Sequence, residues 1–440
     1  MKQDTIVARA TPEGRGGVAV IRVSGPTVRS IANAILKSLP KPRFATFTSF
    51  YDANDEVIDE GLALFFEGPH SFTGEDVLEL HGHGGIYVVD NIIRRVISLG
   101  GRLAKPGEFS ERAFLNDKID LVQAEAIADI IDASSINAAK AAIRSLQGEF
   151  SKKIENFVAS LIHLRMYVEA AIDFAEEEID FLKDDKIAKN LATLIHDLQS
   201  IEASAMQGSL LRQGIKTVII GKPNVGKSSL LNALSEKDVA IVTDIAGTTR
   251  DVLRENIVID GMPLHIIDTA GLRESEDVVE KEGIRRAYLE MSDADLILYV
   301  TDVRESSFDI SFFPQHIPVI IIKNKIDITN NDAKIIEKQK YSEIYLSAFT
   351  HQGIDILKKQ IKHCAGLTEN TEGVFSARAR HLNAISHAKE ALFQGSHHLL
   401  EGELLAEDLR TAQIALNEIT GEFTTDDLLG KIFSSFCIGK

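Results

Sequence analysis

Residues 221–229 read "GKPNVGKSS", which fits the spacing G-x-x-x-x-G-K-[ST] at Gly221, Gly226, Lys227 and Ser228. Glycines so placed let backbone N–H groups converge on phosphate oxygens, and a helix starting there adds partial positive charge. The Lys227 ammonium suits β- and γ-phosphates, and the Ser228 hydroxyl suits Mg²⁺. Three further stretches follow in the order such a site needs. "DTAG" (Asp268, Thr269, Ala270, Gly271) closes the apolar run "LHIID", so Asp268 suits water-mediated contact with Mg²⁺ and the Gly271 N–H faces the γ-phosphate. "NKID" (Asn324, Lys325, Ile326, Asp327) closes "PVIIIK". Its Asp327 carboxylate suits two hydrogen bonds from guanine N1–H and the 2-amino group, donors that adenine lacks there. "SAF" (Ser347, Ala348, Phe349) follows "EIYL" and offers a backbone N–H to guanine O6. These residues specify a guanine-nucleotide site.

How the nucleotide is cleaved is less direct. Small signalling GTPases place a water-orienting glutamine after "DTAG", whereas Leu272 follows here and has no group for that work. "TDIAGTTRD", from Thr243 to Asp251, reads as the first switch loop, with threonine hydroxyls and backbone groups near Mg²⁺ and the γ-phosphate. In "GLRESEDVVEKEG", Glu280 and Glu282 are candidates to orient the attacking water, and a solvated surface role competes for each.

A strand must end in the phosphate loop and a helix must leave it; "KTVII" and "SLLNALSE" supply both. From about Lys216 to Gly366, apolar runs alternate with helical segments, as in a mostly parallel sheet. The preceding stretch is helical: Phe157, Leu161, Leu164 and Val168 share one helix face. After the polar "GLTENTEG", Leu405, Leu409, Ala412, Leu416 and Ile419 keep a helical spacing. The two helical blocks are expected to pack on each other as one discontinuous domain with the α/β block inserted. Two independent helical domains are the alternative. Up to about Asn116 the texture is mixed and glycine-rich. "GVAVIRVSG" alternates like a strand, while "HGHGG" and "KPGEF" read as turns, with His81 and His83 turn residues rather than metal ligands.

The 440 residues, 44% hydrophobic and 26% charged, provide for two to four domains with their own cores. A net charge of −17 argues against a large phosphate-binding surface, so a nucleic-acid substrate would be held mainly by a basic partner. "MKQDTIVARATPEGRGG" lacks the apolar run of a signal peptide, and the longest apolar runs fall short of a bilayer span. Cys364 and Cys437 lie too far apart in sequence for a disulfide framework or metal knuckle, and a reducing cytoplasm with no membrane role is expected. Cys364, in "IKHCAG", reads as a small buried apolar residue. Cys437, in "SSFCIGK", is a thiol where chain ends usually fray.

The nucleotide motifs set within helical blocks, "TDIAGTTRDVL" and "FCIGK" resemble the MnmE (TrmE) family of tRNA-modification GTPases. The resemblance covers essentially the whole chain, including "GRGGVAVIRVSGP", "SFTGEDVLELHGHGG", "PGEFSERAFLNDK" and "ITGEFTTDDLLG". It implies an N-terminal α+β folate-binding and dimerisation domain (1–116), a discontinuous helical domain (117–212 and 371–440) and an inserted, doubly wound P-loop GTPase domain (213–370). It also implies a homodimer that joins a FAD-dependent MnmG-like protein in a heterotetramer-type complex. The partner supplies FAD and holds most of the tRNA. The implied activity is K⁺-stimulated GTP hydrolysis coupled to building a carboxymethylaminomethyl or aminomethyl group at C5 of the wobble uridine. The carbon comes from a tetrahydrofolate derivative (5,10-methylene or 5-formyl), and the amine from glycine or ammonium.

The resemblance also assigns residues. It implies nucleotide contacts from Asn224, Val225, Gly226, Lys227, Ser228 and Ser229, and from Thr243, Asp244, Ile245, Ala246, Gly247, Thr248 and Thr249. Asn224 resembles the K⁺ ligand, with backbone carbonyls of Thr243, Ile245 and Thr248 completing the shell; Thr249 joins Ser228 at Mg²⁺. Glu280 matches the water-orienting glutamate, catalytic alongside Lys227. Arg22, Glu79, Lys118 and Lys440 match folate-binding positions. Cys437 is implied to stand near the one-carbon unit, as nucleophile or as general acid/base. A ribosome-assembly or regulatory GTPase switch without one-carbon chemistry shares the nucleotide motifs, but leaves the N-terminal domain and the terminal thiol unexplained.

Overall fold

In the computed structural model of the chain the described residues are 4–173, 185–235, 254–268, 291–305, 313–368, 373–421, 426–434, 436 and 439. They divide into two units, Met1–Ala128 with Gln413–Lys440, and Asp129–Ala412.

The first unit is built on a six-stranded sheet. Its strands are β1 (Ile6–Arg9), β2 (Gly16–Ser24), β3 (Thr46–Tyr51), β4 (Val57–Phe66), β5 (Val77–Gly84) and β6 (Arg102–Leu103), ordered β3-β4-β5-β2-β1-β6. Helices α1 (Val28–Leu36) and α2 (Ile86–Ser98) contribute Ile31, Ile35, Ile92 and Val96 to the core, packed with Ile21, Val23, Phe65, Leu78 and Leu80 of the sheet. Strand alternation then sends Arg22 and Glu79 to the other face. Next come α3 (Glu108–Leu115) and α4 (Leu121–Ile131). Leu121 and Ala124 share a core with Leu429, Ile432 and Phe433 of the last helix, α13 (Asp426–Ser434), and with Phe436 beyond it.

One turn expectation fails here. "HGHG" is not a turn but the end of β5, paired with β2 and β4. Glycine is required by crowding across the sheet: a Cβ on Gly84 would stand 2.4 Å from the backbone carbonyl oxygen of its partner Gly16. "KPGEF" does turn, at a left-handed Gly107 that opens α3.

The second unit combines helices with a second sheet. Helices α5 (Ile136–Leu146), α6 (Glu149–Asp173) and α7 (Asp185–Gln213) pack on one another, and α11 (Ala379–His397) packs along α7. Phe157, Leu161, Leu164 and Val168 of α6 are buried, as their spacing requires, and so are Leu405, Leu409 and Ala412 of α12 (Gly402–Thr420); Leu416 and Ile419 of the same helix, buried too, fall in the first unit.

The sheet contains β7 (Ile215–Ile220), β8 (Arg254–Ile259), β9 (Met262–Asp268), β10 (Leu296–Asp302), β11 (Val319–Asn324), β12 (Lys334–Glu337) and β13 (Ser342–Tyr345), in the order β12-β13-β11-β10-β7-β9-β8. The interior pairs are parallel, and only the edge strands β8 and β12 run antiparallel to their neighbours. One face packs against α8 (Lys227–Ser235) and α10 (Ile354–Ala365), and Val218, Ile297 and Ile321 form a separate core on the other; the one-turn helix α9 (Ile326–Thr329) follows β11. Burial on both faces is why these strands read as continuous apolar runs.

Candidate functional site

The phosphate loop follows β7 and opens α8, the strand–loop–helix setting its motif needs. Asn224 is left-handed at φ 61° and Gly226 at φ 96°; a Cβ on Gly226 would collide with the Asn324 amide. Lys227 Nζ donates to the carbonyls of Gly221 (2.6 Å) and Lys222 (3.0 Å), which keeps the ammonium within the loop. Ser228 and Ser229 are exposed at the helix start.

Asn324 gathers three of the sequence-predicted stretches. Its Nδ2 donates to the Val225 carbonyl (2.8 Å), and its Oδ1 accepts from the N–H groups of Lys325 (2.8 Å) and Ala348 (3.0 Å). Being only 2% exposed, this amide is a structural cross-link between phosphate loop and base-recognition loops. Ser347 Oγ donates to Asp327 Oδ1 (2.6 Å), which orients the carboxylate, and Phe349, two residues on from Ser347, is exposed. Lys325 Nζ donates to the Asn224 carbonyl (2.8 Å).

Sequence reasoning missed Asp302, at the end of β10. Its carboxylate pairs with Arg304 (2.8 Å) and with Lys325 (3.2 Å), so it anchors the side chain that reaches Asn224. The hydrogen-bonded Arg304 guanidinium, helped by Lys325, holds the Asp302 carboxyl well below the usual carboxylate range. The signal was an acidic residue closing an apolar strand, "LILYVTD", the same pattern that marked Asp268.

Thr243, Asp244, Ile245, Ala246, Gly247, Thr248 and Thr249 lie outside the described residues, as do Thr269, Ala270, Gly271, Glu280, Glu282, Cys437 and Lys440. Asp268 is described as the last residue of β9.

The first unit carries the candidate folate residues. Arg22 and Glu79 are cross-strand partners, joined by an ion pair at 2.8 Å. Arg22 also stacks near the rings of Phe72 (5.6 Å) and Phe109 (5.8 Å), and its Nη1 reaches the Gly439 carbonyl at 3.5 Å. Glu79 meets His81 as well (3.3 Å). Lys118 contacts neither residue among the described interactions; its methylene stem lies beside Gly74. His83 pairs with Asp59 at 2.7 Å, away from His81. Cys364 is half-buried against the sheet core rather than fully enclosed, and burial pushes its thiol pKa up.

Two family models match this chain. One, described as the MnmE helical domain, covers residues 121–437; the other, GTP-binding protein TrmE N-terminus, covers residues 5–118. The chain belongs to the MnmE (TrmE) family. As a member it is a GTP-binding GTPase acting in tRNA modification. Among the described residues no helix is long and apolar enough to cross a membrane. Similar solved structures include the G domain of the T. maritima FeoB iron transporter (27% identity, covering 34% of this chain and 98% of that one, TM-score 0.25). The FeoB G domain from Methanococcus jannaschii is another (23% identity, 34% and 98%, TM-score 0.24). At such TM-scores the assignment stands on the family matches alone.

Proposed function

We propose that this MnmE-family GTPase is K⁺-stimulated and works as a homodimer with a FAD-dependent, MnmG-like partner to build an aminomethyl-type group on the wobble uridine of certain tRNAs. One contact carries the one-carbon part of this reading: the Gly439 carbonyl meets Arg22. Two residues past Cys437, the chain lies against the sheet face that bears Arg22 and Glu79.

The chemistry of the donor sets fits the groups involved. Arg22 suits an acidic glutamyl tail, and the Glu79 carboxylate suits pterin N–H donors. A bound methylene-tetrahydrofolate supplies the carbon. In the phosphate loop the Asn224 side chain is exposed, and its amide oxygen suits K⁺. A K⁺ beside the phosphates stabilises developing negative charge much as an arginine finger does. Ser228 and Thr249 suit Mg²⁺. The net charge of −17 favours a partner that grips the tRNA, in the cytoplasm.

Reconstitution tests the whole reading: the chain, a MnmG-like flavoprotein, tRNA, GTP, K⁺, methylene-tetrahydrofolate and glycine or ammonium, with the nucleoside weighed by mass spectrometry. A wobble uridine gaining the aminomethyl-type mass only when folate and K⁺ are both present supports it. Modification without any folate refutes the one-carbon role.

A further inference from the structure

Strands β8 and β9 form a hairpin whose sequence position is distinctive. It follows the candidate first switch loop, and β9 ends at Asp268, where "DTAG" begins. The opposite end of the hairpin is the two-residue turn of Asp260 and Gly261, both left-handed (φ 49° and 94°). That turn rests on the N-terminus of α5. Ser135 Oγ donates to the Gly261 carbonyl (2.6 Å), and Asn137 Nδ2 donates to the Asp260 carbonyl (3.2 Å). A Cβ on Gly261 would come within 2.6 Å of Asn137 Nδ2, so the approach is as close as backbone allows. Ser135 is also the N-cap of α5, accepting from the Ala138 N–H (3.0 Å). One hydroxyl therefore ends the helix and holds the hairpin.

We propose that this turn is the contact through which the state of the nucleotide reaches the helical domain, with Ser135 and Asn137 as its positioning residues. The inference rests on the nucleotide reading above, since it takes Asp268 to stand at Mg²⁺. A paired β-strand does not stretch. The seven residues of β9 make a rod of about 20 Å at roughly 3.3 Å per residue, so a shift at Asp268 arrives at Gly261. Close-packed surroundings would resist such a shift. Here, however, a cavity of about 590 Å³ borders His265 and Ile267 of β9 and Ala138 and Ala141 of α5, leaving room beside both elements. Several of the polar side chains lining it are engaged: Asp129 accepts from Arg212 and Ser376, Asp295 from the Lys216 N–H, and His265 bonds Asn256 and the Gln213 carbonyl. The cavity supplies free volume at the junction of the two elements.

The test is amide hydrogen exchange on the full chain, with GDP or with a non-hydrolysable GTP analogue, and with nucleotide affinity measured on the same samples. In the wild type, peptides spanning residues 136–146 should differ in protection by about fivefold between the two nucleotides, the change made by one hydrogen bond of ordinary net strength. In Ser135→Gly combined with Asn137→Ala the difference should vanish while nucleotide affinity and intrinsic GTP hydrolysis persist. Glycine keeps most of the cap's stability, so the helix survives. Ser135→Thr restores a hydroxyl and should restore the difference. In the reconstituted system the double variant should hydrolyse GTP yet modify tRNA at least tenfold more slowly. Bound nucleotide with no response of α5 in the wild type, or an unchanged response in the double variant, overturns the inference alone. Failure of either nucleotide to bind overturns the nucleotide reading and this inference with it.

Discussion

Arg22 on β2 and Glu79 on β5 stand in register across the sheet, with Arg22 Nε 2.9 Å from Glu79 Oε1 and Nη1 3.5 Å from the Gly439 carbonyl. A guanidinium held from two sides loses little further freedom when it binds an anion. Arg22→Ala is expected to weaken tetrahydrofolate binding at least ~10-fold, since hydrogen bonds to charged groups contribute about 1.5–3 kcal/mol. GTP hydrolysis should be unchanged. Fluorescence titration with the reduced pterin decides, and equal affinity would remove Arg22 from the pocket.

Asp327 accepts from Ser347 and thereby keeps its second oxygen oriented for a base edge. Asp327→Asn replaces an acceptor pair with one donor and one acceptor. GTP affinity should fall by about 100-fold and xanthine nucleotides should bind better than guanine ones. Competition binding with GTP and XTP measures both.

Glu280→Ala should leave GTP affinity intact and lower kcat by at least ~100-fold, the usual scale for losing a group that acts on the attacking water. Exchanging K⁺ for Na⁺ in the wild type should slow turnover strongly without releasing nucleotide. Single-turnover hydrolysis in the two salts separates these effects; equal rates would count against Asn224 as a cation ligand.

Asp129 accepts from Arg212, Arg378 and Ser376 at 2.6–2.7 Å, with only 6% of its side chain exposed. Asp129→Ala leaves two guanidinium groups without their counter-charge. The expected loss is about 3–5 kcal/mol, toward the lower end because Arg212 keeps 30% exposure. Thermal unfolding of wild type and variant shows it as a lower midpoint.

Burial pushes the Glu108 carboxyl up, but hydrogen bonds from Arg102, the Lys105 N–H and Arg112 outweigh it and hold the pKa below its ordinary 4.5. The folded pKa lies below the unfolded one, so this stabilisation is complete above about pH 4.5 and fades as pH falls through the folded value. Glu108→Gln should therefore unfold more readily than wild type at pH 7, and the gap should narrow below pH 4.5. Denaturant titrations at pH 7 and pH 4 test the sign.

The nucleotide loops were legible because their chemistry is local. Gly226 and the Asn324–Asp327 stretch specify backbone shape within a few residues, and the strands before them announce themselves as apolar runs. Arg22 and Glu79 were legible only through family resemblance, because 57 residues separate them and only strand register pairs them. "HGHGG" was misread because glycine density suggests turns, whereas Gly84 answers to the Gly16 backbone across the sheet. Asp302 was overlooked although its partner Arg304 is only two residues on, and Asp129 gave no local sign of its partners. The Asp129 network spans 249 residues to Arg378, a distance over which periodicity says nothing.

That network has an architectural consequence. Arg212 lies just before β7, and Ser376 and Arg378 lie just before α11, so one carboxylate pins both doorways of the GTP-binding body. Loop-closure cost grows only with the logarithm of the enclosed length. With its two thresholds fastened side by side, the surrounding scaffold is nearly blind to how much polypeptide passes between them, and lineages could lengthen or trim that body without rebuilding the frame.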